Sequence, residues 1–346
     1  METLIVESTG KLGIREVSLP VISEHQALVK IVSCGICNGT DTKLIHRAFK
    51  GYNLNQYPLM LGHEAVGYVI ETGKKVLGLK EGDLVLLPFN DSIDGVFSAW
   101  GGFSEYGVVN DYESVMLYEP ANNLLHELAS SQTVLPKWID PVEAVMIITF
   151  REVLSGIKKF GIKKNDSVVV FGCGPVGLTF IQCLHLLGAN PIIALDILDD
   201  KLIQAKALGA NHVFNSKRIS VDKTVKNICT SGVDFVVDAV GVSDIINQAM
   251  TLIKDNGKIC CYGISSNLNA NIDWSGAPYN WNLIFHQFPS KGEEYLAHNQ
   301  VINWLESDDI HLKDYISDVF NFREVILAFE KLDDRQITKK GIVKFE

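Results

Sequence analysis

The chain has 346 residues, 47% of them hydrophobic and 21% charged, with a formal net charge of −10. Such a length buries two cores, so two domains are the default, and the composition excludes a disordered or fibrous class. An acidic chain without any Lys/Arg run repels a phosphate backbone, and no segment approaches the ~18 apolar residues of a membrane span, so the sequence predicts neither a nucleic-acid nor a membrane partner.

Along the chain, the first eleven residues carry no positive region leading into a long apolar stretch, which argues against a secretory leader. Short β-type runs broken by glycine turns follow to about residue 107, with strands expected over 27–32, 65–70 and 83–87. The segment 108–136 is long for a connection within a domain and reads as a helical excursion or lid. From residue 166 the pattern changes: apolar β-branched runs at 167–171, 191–196, 212–214, 234–239 and 258–263 alternate with helical spacing at 175–187, 199–208, 221–230 and 243–253. That alternation predicts a parallel sheet with crossover helices. A polar, aromatic-rich stretch (Trp274, Tyr279, Trp281, Phe285, Phe288) precedes helices at 293–306 and 322–331 and a closing strand at 341–345. This last part is short for a separate domain and is expected to rejoin the first. Seven cysteines, an odd number scattered through apolar or Gly-rich segments, read as reduced thiols of a cytoplasmic protein.

Gly172-Cys-Gly174-Pro175-Val176-Gly177 fits G-x-G-x-x-G between a strand and a helix. Its glycines permit a tight turn, backbone approach to a pyrophosphate and close helix–strand packing, and the helix start offers unpaired N–H groups to phosphate. Asp196 ends the next strand, nineteen residues beyond Gly177, where a carboxylate accepts from a ribose 2′-hydroxyl. The following Ile197 and Leu198 supply no cation for a 2′-phosphate, which favours NAD over NADP. The competing reading is a glycine turn in an ordinary α/β sheet.

A second cluster is Cys34-Gly-Ile-Cys37-Asn-Gly-Thr40-Asp41, followed some twenty residues on by Gly62-His63-Glu64. Thiolate and imidazole are ligands zinc prefers, and the adjacent carboxylate either ligates or orients. C-x-x-C is equally the pattern of a redox pair or of two buried thiols.

Together with Gly-Asp-Leu-Val at 82–85, Gly-Gly-Phe-Ser-Glu-Tyr at 101–106, Ala205-Lys-Ala-Leu-Gly-Ala210 and Asp234-Phe-Val-Val-Asp-Ala-Val-Gly241, these motifs resemble the zinc-type medium-chain alcohol/polyol dehydrogenases, especially the sorbitol dehydrogenase-like branch, over nearly the whole chain. The resemblance implies an α/β protein: a GroES-like β-rich catalytic domain with an inserted Rossmann domain, divided as 1–153, 154–285 and a C-terminal return over 286–346. It implies one catalytic zinc on Cys37 and His63, with Glu64 a ligand in some states or a base beside the metal's ligands, and Thr40 handing on the alcohol's proton. It also implies a homo-oligomer, dimer or tetramer.

Three departures qualify it. Asn38-Gly39 lengthens the interval from Cys37 to Thr40 and Asp41 by one residue each. The family's third ligand falls on Ile148, which cannot bind zinc; Glu152, one helical turn later, is the substitute candidate, against the reading of an exposed acid near Arg151 or Lys159. The cysteines of a structural zinc lobe are missing from 89–101, so no second zinc is expected. Lys43 stands where relatives place a relay histidine, with His46 close by; each is a relay or part of a solvated helix face. Tyr57, Phe103, Trp281, Phe285 and His298 line a pocket or belong to the core.

The expected function is therefore NAD-dependent interconversion of a secondary alcohol, polyol or sugar-derived, and its ketone. The alternatives are a metal-free quinone or enone reductase, which Ile148 favours, and a non-catalytic NAD(H)-binding regulator.

Overall fold

Residues 1–265, 267 and 269–346 are described by the computed structural model. They form two units, one of Met1–Ile148, Ser290–His298 and His311–Glu346, the other of Thr149–Pro289 and Asn299–Ile310. In chain order the elements are β1 (Glu2–Val6), β2 (Leu12–Glu16), β3 (Gln26–Gly35), α1 (Asp41–Ile45), β4 (Leu59–Met60), β5 (Ala65–Thr72), β6 (Leu84–Leu86), β7 (Phe97–Ser98), β8 (Tyr106–Asn110), α2 (Tyr112–Tyr118), α3 (Asn123–Ser131) and α4 (Val145–Phe160). Then come β9 (Val168–Phe171), α5 (Pro175–Leu186), β10 (Ile192–Asp196), α6 (Asp199–Ala207), β11 (His212–Asn215), α7 (Val221–Ile228), β12 (Val233–Asp238), α8 (Ser243–Met250), β13 (Ile253–Cys261) and β14 (Trp281–Phe285). The chain closes with α9 (Lys291–Glu306), β15 (Ile316–Asn321), α10 (Val325–Asp333) and β16 (Lys340–Lys344).

The first unit is β-rich. One sheet runs β2-β1-β4-β7; the other runs β15-β16-β3-β5-β6, with β8 also paired to β3. Ten residues long and mostly buried, β3 is the spine of the larger sheet. Its register explains how residues distant in sequence meet at one end. Cys34 pairs with Ala65 of β5, and Gly35 with Ile342 of β16. The chain leaving β3 toward Cys37, the chain entering β5 from His63 and Glu64, and the start of β16 at Lys340 therefore converge. Beneath them lies a core of Leu4, Ile31, Leu61, Phe103, Phe329 and Val343, among others; burying each such side chain contributes about 1.5–3 kcal/mol. Phe103 is fully buried against Phe329, so the core reading holds for it.

The second unit carries a six-stranded parallel sheet in the order β11-β10-β9-β12-β13-β14. Renumbered within the unit this is 3-2-1-4-5-6, the doubly wound order in which dinucleotides bind where the strand order reverses. All four residues of β9 are buried, as a central parallel strand covered on both faces requires. The aromatic stretch read from sequence contains the edge strand β14, which pairs with β13 and leaves Leu283 and Phe285 exposed. The excursion at 108–136 resolves into α2 and α3, capped by the side chains of Asp111 and Asn122.

Candidate active site

Cys37, His63 and Glu64 each present a donor atom, and these atoms all lie within 4.8 Å of one another. His63 and Glu64 are buried and Cys37 is half-buried. A thiol, an imidazole and a carboxylate at this spacing form a donor set suited to zinc. Cys34 is not part of the group. Burial, with Asp41 and Glu64 nearby, pushes its thiol well above the ordinary range, so it stays protonated in the wall behind.

Two residues fix the donors from behind. Asp41 is fully buried; its Oδ2 accepts from the Cys37 N–H at 2.9 Å, and its Oδ1 faces His63 Nδ1 at 3.3 Å. That second contact lacks hydrogen-bond alignment, and neither atom has another hydrogen-bond partner. A carboxylate behind the remote nitrogen of a histidine is the arrangement that orients metal-ligating imidazoles. Burial opposes charge on His63, but Asp41 and Cys37 outweigh it and raise its affinity for a proton well above the usual; a bound cation would displace that proton.

Lys340 is the second. Its ammonium donates to both oxygens of Glu64, at 2.8 and 2.6 Å, and both side chains are almost completely buried. Gly35 completes the cradle: a Cβ there would lie 2.2 Å from Glu64 Oε2, so only glycine admits the carboxylate. No local sequence pattern pointed to Lys340, which is 276 residues from Glu64.

The additional residue after Cys37 is taken up in a turn over 38–40. Thr40 N–H approaches Cys37 Sγ at 3.5 Å, and the Asp41 N–H donates to the Cys37 carbonyl at 3.0 Å. Thr40 heads α1 without a side-chain capping bond, leaving its hydroxyl uncommitted to the helix. Lys43, half-buried on α1, is pushed below its ordinary pKa by burial, against the pull of Cys37. His46 is exposed at the end of α1. Trp100 packs on the His63 ring with centroids 5.4 Å apart, and Phe49 meets Trp100 edge-on, giving the group an aromatic flank that the sequence did not announce. Tyr57 is buried and donates its hydroxyl to the Leu44 carbonyl, and His298 Nδ1 lies 3.5 Å from Thr133 Oγ1. Ile148 is fully buried; Glu152, half-buried, lies on the part of α4 that belongs to the second unit and is outside the converging group.

In the second unit the glycine motif forms the turn between β9 and α5. A Cβ on Gly177 would lie 1.8 Å from the Gly172 carbonyl oxygen, so helix and strand pack this closely only through glycine. Gly174 caps α5 and faces open space, with Pro175 beginning the helix. The first turn of α5 thus presents free N–H groups beside an open backbone, a ready anion site. Asp196 ends β10 and accepts from the N–H groups of Cys173 (2.7 Å), Ile197 (2.7 Å) and Leu198 (2.9 Å), tying the glycine loop to the end of the neighbouring strand.

Comparison with known proteins identifies the family of both units. Residues 23–119 match the alcohol dehydrogenase GroES-like domain, and residues 175–286 match the zinc-binding dehydrogenase family. The chain is 32% identical over 283 residues to an NADP-dependent isopropanol dehydrogenase of Clostridium beijerinckii, covering 75% of this chain and 73% of that one. It is 26% identical to sorbitol dehydrogenase 2 of Saccharomyces cerevisiae, covering 94% and 93%. Among solved structures, an alcohol dehydrogenase (rspB) from Escherichia coli CFT073, complexed with NADH, superposes with a TM-score of 0.81 at 24% identity, covering 100% and 99% of the two chains.

Proposed function

The chain belongs to the zinc-binding alcohol dehydrogenase family with a GroES-like domain, and from that membership we propose that it is an NAD(H)-dependent, zinc-assisted oxidoreductase interconverting a secondary alcohol and its ketone. The substrate class is a polyol or sugar-derived alcohol, a choice supported by polyol dehydrogenases such as the yeast sorbitol enzyme among the full-length relatives. The observation that carries the reading is the convergence of Cys37, His63 and Glu64 with Asp41 behind the histidine.

Cys37, His63 and Glu64 would hold one zinc, with no structural zinc elsewhere. Zinc in such a site polarises an alcohol oxygen, and nicotinamide accepts the hydride. Asp41 orients His63 and the backbone of Cys37. The Thr40 hydroxyl takes the substrate's proton and passes it outward, with Lys43 as the next carrier. The α5 N-terminus and Gly172–Gly177 cradle the pyrophosphate. Three of the roughly four lone-pair directions of Asp196 are occupied, which leaves one for a ribose hydroxyl. NAD rather than NADP is supported by Asp196 with Ile197 and Leu198 after it, although the isopropanol relative is named as NADP-dependent. Glu152 remains a candidate ligand, and Glu152→Gln with unchanged zinc content would remove it. A homo-oligomer is supported by the open edge of β14 with its exposed Leu283 and Phe285. A cytoplasmic setting is supported by seven unpaired cysteines, and among the described residues no helix is long and apolar enough to cross a membrane.

The buried Ile148 favours a metal-free reductase as the second reading. Such an enzyme has no use for Asp41 seated behind His63. The two separate in a screen of polyols with NAD⁺ and NADP⁺ followed by nicotinamide absorbance. Turnover with NAD⁺ is expected, and Thr40→Val should lower kcat by about 100-fold or more while zinc content and NADH affinity persist. Reduction of enones or quinones by metal-free protein would move the assignment to the reductase. NADH binding with no turnover of any substrate would leave a regulator.

A further inference from the structure

Glu64 is the one carboxylate in the converging group, and it is already claimed. Both of its oxygens accept from the Lys340 ammonium, and Gly35 permits it to sit where it does. The position from which the resemblance would supply a further ligand is the fully buried Ile148. Among the described residues Glu64 is the carboxylate that gathers with the Cys37 and His63 donors, Asp41 being seated behind them on the Cys37 N–H and facing His63 Nδ1, and a buried ammonium holds Glu64.

We infer that Lys340 competes with the metal for Glu64 and so sets how tightly this chain holds its zinc, an inference that rests on the zinc reading of Cys37, His63 and Glu64. To ligate, Glu64 must surrender at least one oxygen from Lys340, and the ammonium is then left beside a divalent cation within a largely dry wall. Like charges at that range, poorly screened by solvent, oppose binding. Lys340 thus keeps Glu64 in place in the metal-free protein and lowers the affinity of the loaded one. Two firm ligands, Cys37 and His63, are supplemented by a third that is shared.

The test is zinc affinity measured by competition with a chromophoric chelator, on full-length protein at pH 8. Lys340→Met is expected to bind zinc at least about 10-fold more tightly than wild type, a size typical of residues that act on a metal through its ligands. Lys340→Arg, which retains both oxygens through paired N–H bonds, is expected to bind no more tightly than wild type. In a Glu64→Gln background, Lys340→Met should give a smaller gain than in wild type, because the contested carboxylate is gone and only the direct repulsion between ammonium and cation is relieved. Should Lys340→Met fail to fold, Lys340→Arg and Glu64→Gln still decide: tighter binding in the former or unchanged binding in the latter overturns the inference. Equal affinities in wild type and Lys340→Met, or the same gain with and without Glu64, also overturn it and leave the zinc reading intact. No saturable zinc binding by wild-type protein that still binds NADH overturns both together.

Discussion

Asp41→Asn is the substitution that probes the candidate site most cleanly. Asn keeps the shape of the fully buried side chain and an oxygen to accept from the Cys37 N–H, now held at 2.9 Å. It removes the negative charge that faces His63 Nδ1 at 3.3 Å. Loss of such an outer carboxylate costs roughly 10–100-fold in metal affinity, equivalent to about 1.4–2.7 kcal/mol. Asp41→Ala should cost more, because it also strands the part-buried Cys37 N–H, at about 1–3 kcal/mol of fold stability. The assay is zinc competition against a chelator for each variant, with thermal unfolding and NADH titration alongside. Asp41→Asn should weaken zinc, leave NADH binding unchanged and shift Tm little. Zinc affinity equal to wild type would refute the argument that Asp41 orients the histidine for a metal.

Asp196→Asn should weaken NADH by about 10-fold or more through loss of charge-assisted bonds and leave zinc content unchanged; unaltered NADH affinity would remove Asp196 from the cofactor site. Asp234 accepts from Ser167 N and Oγ and pairs with Lys254; burial raises its pKa, but Lys254 and Ser167 prevail and hold it below the ordinary carboxylate value. A depressed acid stabilises the fold above its unfolded pKa of about 3.9 and loses that contribution as pH falls through the lower folded value. Asp234→Asn should therefore cost about 1–2 kcal/mol near pH 7 and progressively less toward pH 3, and a Tm difference that does not change with pH would contradict this. With a thiol reagent, Cys37 and Cys229 should react in the native protein and the five buried cysteines only on unfolding, burial having pushed Cys173 and Cys261 up to about 12. Zinc should protect Cys37, and fast labelling of Cys173 would mean that the glycine loop opens.

The parts legible in sequence were those whose physics is local. A strand, a glycine turn and a helix follow one another within 168–186, and β-branched runs covered on both faces read directly as parallel strands. Cys37, His63 and Glu64 were legible by ligand chemistry. Asp41 was nearly lost because an additional residue separates it from Cys37; the turn over 38–40 takes up that residue and returns Asp41 to the histidine. Lys340 was illegible, since only the antiparallel register of β16 on β3 brings a lysine near the C-terminus beside Glu64. Trp100 was hidden for the same reason, its contact with His63 being tertiary. The strand β14 was obscured because its exposed Leu283 and Phe285 break the inward alternation by which a half-buried strand is recognised.

The proposed function stands or falls with a zinc held by Cys37 and His63 of the first unit, while the glycine motif and Asp196 lie in the second. The most direct test is metal content by plasma mass spectrometry on untagged wild type and His63→Ala, with NADH titration on both. About one zinc per chain in wild type, lost in His63→Ala while NADH still binds, is the predicted result. No zinc in wild-type protein that binds NADH, or zinc undiminished in His63→Ala, would contradict it.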